Sequence, residues 1–242
     1  MTIKVGDTVK FVSGQLNDQG LTPYVRWTQQ NLLDYLNRAL IQVGTFRPDA
    51  FTSSVTLTLV AGAQQTLPAA YSTLKSLDYN ASTSNCPGAP ITETNLDLLR
   101  AFFKKPCGPS GGAADYRVTS YAYDIRNPHV FYVSPPVPDD AAGLQVTGTA
   151  VSPAPQYVIG DIGANTVIAI DQKYENAIEA WMLYEAYSID TESTSSRQTK
   201  LDNYGAFFKT LGIEYKQESA YRSGYFLGQR GMGDPKAGSY AG

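Results

Sequence analysis

Only a few residues of this sequence have side chains whose type and spacing could support catalysis. His129 is the only histidine, and it follows Pro128 at the start of a predicted strand. A single histidine cannot form a metal site without cysteine or carboxylate partners at matching spacing. Serine and aspartate are plentiful enough for a serine–histidine–aspartate triad. We nevertheless interpret His129 as a surface or turn histidine.

Two further patterns contain residues that are common in enzyme sites. Asp139 and Asp140 are adjacent in a proline-rich turn, and neighbouring side chains point apart, so we interpret the pair as a solvated turn. The glycine-rich segment 228–233 contains neither Gly-x-Gly-x-x-Gly nor Gly-Lys-Ser/Thr, the patterns that bind phosphates. We therefore predict no catalytic residue, no metal and no cofactor.

The composition favours a folded protein with surfaces suited to protein contacts. Apolar residues make up 43% and charged residues 17% of the chain, which is enough to bury a core. The 17 tyrosines suit both strands and protein interfaces. A net charge of -3 argues against tight binding of nucleic acid, although DNA could slide past a mildly acidic wall.

The N-terminal residues and the cysteines indicate where the chain is made. Residues 1–10 lack the basic and apolar regions of a signal peptide, and no apolar run approaches the about 18 residues of a membrane span. We expect no membrane segment and synthesis in a cytoplasm. Cys86 and Cys107 both lie beside prolines in predicted loops. A disulfide between them stays open, but a reducing compartment favours free thiols.

Helical periodicity is strongest near the two ends of the chain. Apolar residues recur at the helical period from Thr28 to Val43, and we expect Thr28 to cap the helix and Gly44 to end it. A second helix is predicted from Asp171 to about Asp190. A third follows after a short polar run, and this short connection predicts an antiparallel pair. The aromatic residues expected in its core are Trp181, Tyr184, Phe207 and Phe208.

Apolar residues alternate between about Phe51 and Ile170, which is typical of strands. A strand through Val55–Leu59 is followed by a turn at Ala61-Gly62 and a returning strand at Gln64–Leu67. One helix with Thr94 as its cap interrupts this region. The other predicted strands are Leu74–Tyr79, Arg117–Tyr123 paired with Val130–Val133, Leu144–Ala150 and Val167–Ile170.

This order predicts an α+β fold, a helical bundle domain with an inserted antiparallel β-rich domain and an extended C-terminal tail. Residues 1–50 would hold an N-terminal arm and the first helix, 51–170 the inserted domain with one helix, and 171–221 the helical hairpin. The tail, residues 222–242, has six glycines, three basic residues and one acidic residue. It is either a plain chain end or a segment that orders against a partner.

The order of several segments resembles the phage adaptor family, the head-to-tail connector proteins of tailed, mainly short-tailed, bacteriophages. The resemblance extends roughly from Arg26 to Gly212. The segments that carry it are Arg26-Trp27, Leu32–Asn37, Phe46–Ala50, Gln65–Pro68, Asn127–Pro136 and Tyr174–Asp190.

The resemblance implies a structural virion protein without catalytic residues. Such adaptors form a ring of about twelve copies between the portal protein and the tail tube or nozzle protein. The ring leaves a channel through which the genome passes without specific binding. The location implied is the neck of the virion, after assembly in the host cytoplasm. A C-terminal segment that grips the portal would here contribute Arg222, Tyr225, Phe226, Arg230 and Tyr240.

Three alternatives stay open at this point. A tail-tube or nozzle subunit would bind the lower tail and not the portal. An enzyme that uses His129 would lose its activity in a His129→Ala variant. A glycan-binding module would lose glycan binding when exposed tyrosines of the β-rich region are replaced.

Overall fold

The computed structural model divides the chain into a helical unit and a β-rich unit. The helical unit takes the residues up to Phe46 and those from Pro155 onward, and the β-rich unit is Arg47–Ala154. The predicted α+β class is confirmed, and the strands are found to form two small sheets. The structure describes residues 2–18, 24–81, 88–102, 116–124, 126–189 and 194–213.

The described part of the helical unit contains five α-helices. These helices are α1 (Val5–Gln15), α2 (Gln29–Phe46), α4 (Ile159–Ala164), α5 (Glu175–Ile189) and α6 (Thr194–Thr210). None of the described helices is both long and apolar enough to cross a membrane.

Helix α2 follows the predicted pattern closely. Its leucine stripe is buried, and the amide of Asn31 donates to Thr28 Oγ1 at 3.1 Å, so Thr28 is the predicted cap. The predicted end at Gly44 was wrong, because the helix continues to Phe46. A single glycine near a helix end costs only about 1 kcal/mol. Pro48, which cannot supply an amide hydrogen, begins a separate short 3-10 turn.

Helix α1 lies in the segment that the sequence analysis describes only as an N-terminal arm. It buries Val5, Val9 and Val12 along one face. Gly6 allows a close approach to α4, because a Cβ atom there would lie 2.6 Å from the Ile162 carbonyl oxygen. Val5, Val9 and Val12 stand at the spacing i, i+4 and i+7, so the helical period is present in the sequence and could have predicted this helix.

A buried aspartate joins α1 to α2. Asp18 is only 8% exposed, and its carboxylate accepts hydrogen bonds from the backbone amides of Val25, Arg26 and Trp27. Trp27 is itself buried, and the Arg26 guanidinium lies 4.7 Å from its ring centroid. The carboxylate therefore fixes the backbone that leads into α2.

The predicted strand Val167–Ile170 was wrong. Residues 155–170 belong to the helical unit, where α4 ends at Asn165 in the left-handed conformation, with φ of 51°. Val167 forms only an isolated bridge with Lys4. The amide of Ile168 donates to the Ile3 carbonyl at 2.9 Å. A short apolar run does not reveal whether its partner is a sheet or a single backbone segment.

The β-rich unit contains two sheets, and seven strands are described. One sheet has the order β1-β7-β3 and the other β2-β6-β5-β4. Their contacts are antiparallel except for the short parallel pair of β4 and β5. The strands are β1 (Thr52–Thr58), β2 (Gly62–Thr66), β3 (Thr73–Asn80), β4 (Thr92–Glu93), β5 (Ser120–Asp124), β6 (Asn127–Val137) and β7 (Gln145–Val151).

Strand β2 does not return along β1 as expected, because it pairs with β6 in the other sheet. The side chain of Gln65 stabilises the connection between β1 and β2. Its Oε1 accepts a hydrogen bond from the Val60 backbone amide at 2.8 Å, and its Nε2 donates one to the Val60 carbonyl at 2.7 Å. Gly62 adopts a φ of 103° at the turn, which favours glycine. The predicted β5–β6 pair is confirmed, with Tyr121 opposite Val133.

The helix of the β-rich unit is α3 (Leu96–Phe102). Thr94 was expected to cap it, but the Asp97 amide donates to Asn95 Oδ1 at 2.8 Å, so Asn95 takes that role. The amide of Thr94 instead donates to the Tyr121 carbonyl. Leu99 is buried, whereas Leu98 is 58% exposed.

We predict that Asp18→Ala lowers the free energy of unfolding by about 2–3 kcal/mol, because three backbone amides lose a charged acceptor. Asp34→Ala is the matched control, since Asp34 is exposed and accepts only from Gln30 on its own helix. Its expected change is within about 0.5 kcal/mol. Urea unfolding measures both variants, and equal losses would contradict the role of Asp18.

Candidate interaction site

The two C-terminal helices are held together by an aromatic cluster. The Trp181 ring lies 4.8 Å from Phe207, and Tyr184 lies 5.1 Å from Tyr204. Later residues of α5 thus contact earlier residues of α6, which is the predicted antiparallel arrangement. The aromatic cluster comprises Phe46, Trp181, Tyr184, Tyr204, Phe207 and Phe208.

Trp181 is held in the cluster by packing alone. It is 8% exposed, and its indole Nε1 is buried without a hydrogen-bond partner. A buried donor without a partner costs free energy, so the ring's contacts must outweigh that loss. Phe207, with no exposed surface, provides the most deeply buried of these contacts.

One side of the aromatic cluster reaches the surface. Phe46, at the end of α2, is 40% exposed and lies edge-on to Phe208 at 5.0 Å. The ammonium group of Lys200 lies 5.3 Å from the Tyr184 ring centroid. The cluster therefore extends from a buried core to the exposed ring of Phe46, and exposed aromatic rings are common where proteins contact each other.

A shallow groove runs along the outer side of α6 and ends where the described chain ends. This side of the helix is open, because Gly205 and Gly212 have no side chains and Leu201 is 54% exposed. We call this the α6 groove. It is lined by Leu201, Asp202, Gly205, Ala206, Lys209, Gly212 and Ile213.

The portal-contact candidates of the sequence analysis cannot be placed in this geometry. Arg222, Tyr225, Phe226, Arg230 and Tyr240 all lie outside the described residues, as do Cys86 and Cys107. The closest described residue to the five candidates in the sequence is Ile213, at the end of the α6 groove.

The residues considered for catalysis lie on two elements of the β-rich unit. His129 is exposed on β6, where its carbonyl accepts from the Leu67 amide at 2.8 Å. Asp139 and Asp140 are exposed in a 3-10 turn. Across the described ranges, no three His, Cys, Asp or Glu side chains gather as they would around a metal ion.

One nucleophile pattern escaped the sequence analysis. Residues 108–112 read Gly-Pro-Ser-Gly-Gly, which fits the letters Gly-x-Ser-x-Gly. A nucleophile elbow also needs a strand before the serine. The described element that precedes this segment is helix α3, and the segment itself lies outside the described residues.

Among the described carboxylates, Glu179 on α5 has the pKa that lies furthest from its ordinary value. Burial, followed by the negative charge of Glu175 one turn earlier, raises its pKa from 4.5 to about 7. Both causes disfavour the charged form, so this carboxyl group holds its proton at higher pH than an exposed glutamate.

The exposed aromatic and apolar side chains described above suit contacts between proteins. The family comparison agrees: a family model described as SU10 adaptor protein matches residues 3–227. The chain therefore belongs to the SU10 adaptor protein family and is a phage adaptor. A search of curated protein sequences finds no match.

We predict that Trp181→Ala lowers the free energy of unfolding by about 3–5 kcal/mol, the usual cost of removing a large buried aromatic ring. Trp181→Phe is the informative control, because the indole Nε1 has no hydrogen bond to lose. Its expected cost is about 1–2 kcal/mol. Chemical denaturation measures both, and a loss below about 1 kcal/mol in the alanine variant would show that the ring is not part of the core.

We predict that Glu179 makes stability depend on pH. Its pKa rises from 4.5 to about 7 on folding, so its contribution is fully present below pH 4.5 and is lost as pH rises through 7. Glu179→Gln should remove this decline and be the more stable form at pH 8. Glu175→Gln should retain most of it, since burial is the larger cause. Parallel pH profiles of the wild type and Glu179→Gln would contradict the assignment.

Proposed function

We propose that this adaptor is the ring-forming subunit that connects the portal to the tail of a phage particle, leaving a channel for the genome. The observation that carries the proposal is the family match across residues 3–227, which spans both units. On this proposal the protein is a component of the virion neck, and its role is binding and positioning without catalysis.

The match also bears on the portal-contact candidates. It extends to Leu227, and so includes Arg222, Tyr225 and Phe226, whereas Arg230 and Tyr240 lie beyond it. We propose that the first three belong to the contact that the family shares. The last two would adapt it to one particular portal.

Ring formation requires two different contact surfaces on each subunit, because neighbours in a ring meet head to tail. Exposed apolar side chains occur in both units. In the helical unit Val25 and Ile189 are each 70% exposed, and in the β-rich unit Val60 is 57% exposed. These residues are candidates for surfaces that become buried when copies associate.

The charge of the chain suits a channel that DNA crosses without being held. The net charge is -3, so the subunit as a whole does not attract the phosphate backbone. Weak repulsion would reduce friction during passage of the genome.

We predict that deletion of residues 222–242 leaves the fold intact and abolishes binding to the portal from the same genome. The described helices end before this segment, and the deletion removes all five candidates. Light scattering of the protein alone and mixed with portal measures binding, and thermal unfolding checks the fold. Wild-type protein should give a complex with about twelve adaptor copies.

Deletion of residues 228–242 is the matched control, since it keeps Arg222, Tyr225 and Phe226. We expect this shorter deletion to weaken portal binding by no more than about tenfold. Full binding by the protein that lacks residues 222–242 would overturn the role of the tail. A wild-type protein that ignores the portal but binds the lower tail would instead identify a tail-tube or nozzle subunit.

A further inference from the structure

Strand β1 has one backbone edge without a partner among the described residues. On its inner side, the Ser152 amide donates to the Phe51 carbonyl and the Leu59 amide donates to the Leu144 carbonyl. Hydrogen bonding alternates along a strand, so the odd-numbered residues between them also face β7. Ser54, Thr56 and Thr58 therefore direct their amides and carbonyls away from the sheet. We call these outward groups the β1 edge.

The other outer strands of the two sheets are protected. Strand β3 has two bulges and the exposed Lys75. Residues 89–91 cover its C-terminal end, where the Ile91 amide donates to the Asp78 carbonyl. Strand β2 is short and bulged, and β4 has only two residues. Short length, bulges and lysines are the usual means of preventing edge pairing.

Strand β1 has none of these protections. Its seven residues, Thr-Ser-Ser-Val-Thr-Leu-Thr, include no charge, proline or glycine. Its pairing with β7 runs without a register shift from Thr52 opposite Val151 to Thr58 opposite Gln145. A regular, uncharged outer strand is a template on which another extended chain can add.

We propose that the β1 edge binds an extended, uncharged segment of a different polypeptide in the phage neck, which adds to the sheet as a fourth strand. This proposal rests on the proposed function. Alternating donors and acceptors specify an extended backbone as the ligand. Because neither β1 nor β7 carries a charged residue, a charged segment would lose solvation without gaining an ion pair.

The geometry argues against a second copy as the occupant. Within the described residues, a second copy offers only its own β1 as an unprotected edge. Antiparallel pairing of two β1 strands is symmetric and closes a dimer. A closed pair of this kind cannot continue around a ring, so no described segment of a second copy suits the β1 edge, and we assign the segment to a different chain.

Amide hydrogen exchange tests this directly, with the free adaptor and the neck complex isolated from phage particles as the two samples. We expect the amides of Ser54, Thr56 and Thr58 to exchange at least about tenfold more slowly in the neck complex. Those of Val55 and Leu57 should be slow in both samples. Equal, fast exchange of the three outward amides in both samples would overturn the inference.

A pair of substitutions at one position tests whether the outward amide matters. Thr56→Pro removes an outward donor and spares the ladder with β7, since proline is tolerated on an edge strand whose amide faces solvent. Thr56→Val keeps the amide and the branched side chain. We expect incorporation into particles to fall at least about tenfold for the proline variant and to stay at the wild-type level for the valine variant. Thr56→Lys replaces the proline variant if that one does not fold.

The outcomes separate this inference from the proposed function. Wild-type adaptor that is absent from the neck complex would overturn both. Adaptor that is present there with unprotected outward amides, or full incorporation of a folded Thr56→Pro variant, would overturn only the β1 edge. Slow exchange of these amides in the free protein, together with a dimer mass, would identify self-pairing instead.

Discussion

The contact between Trp181 and Phe207 is the interaction on which the helical unit depends most. It fixes α6 against α5 with the ring centroids 4.8 Å apart, and it does so without a hydrogen bond from the indole. Because α6 leads to Ile213, where the described residues end, the same contact fixes the position of the chain at that point. On the proposed function, a subunit that binds the portal through its C-terminal segment needs such a rigid point of departure.

The sequence was most informative where an element buries one regular stripe. The leucines of α2, the alternation of β1 and the aromatic residues of the hairpin all follow a local period, so their elements could be predicted. The partner of β2 could not, because pairing depends on residues far away in the sequence. Gln65, which is buried and bonds Val60 across the connection between β1 and β2, looks like any polar strand residue in the sequence.

The candidate interaction site was predictable only in part. The spacing of the aromatic residues in α5 and α6 predicted a helix–helix core. No pattern in the sequence around Phe46 indicated that this residue of α2 joins them. Asp18 escaped notice for a different reason. Its buried role arises only once the backbone at residues 25–27 turns its amides toward the carboxylate. Buried polar groups of this kind are defined by the folded backbone and not by a motif.

The bonds between the start of the chain and residues 166–168 have a consequence for biosynthesis. The Val5 amide donates to the Thr166 carbonyl, and the Ile168 amide donates to the Ile3 carbonyl, both at 2.9 Å. A ribosome must therefore complete the whole β-rich unit before α1 meets residues 166–168, although α2, which α1 also contacts, is made earlier. Since that unit is one continuous stretch of chain, it can fold during translation while α1 still lacks its bonds to residues 166–168.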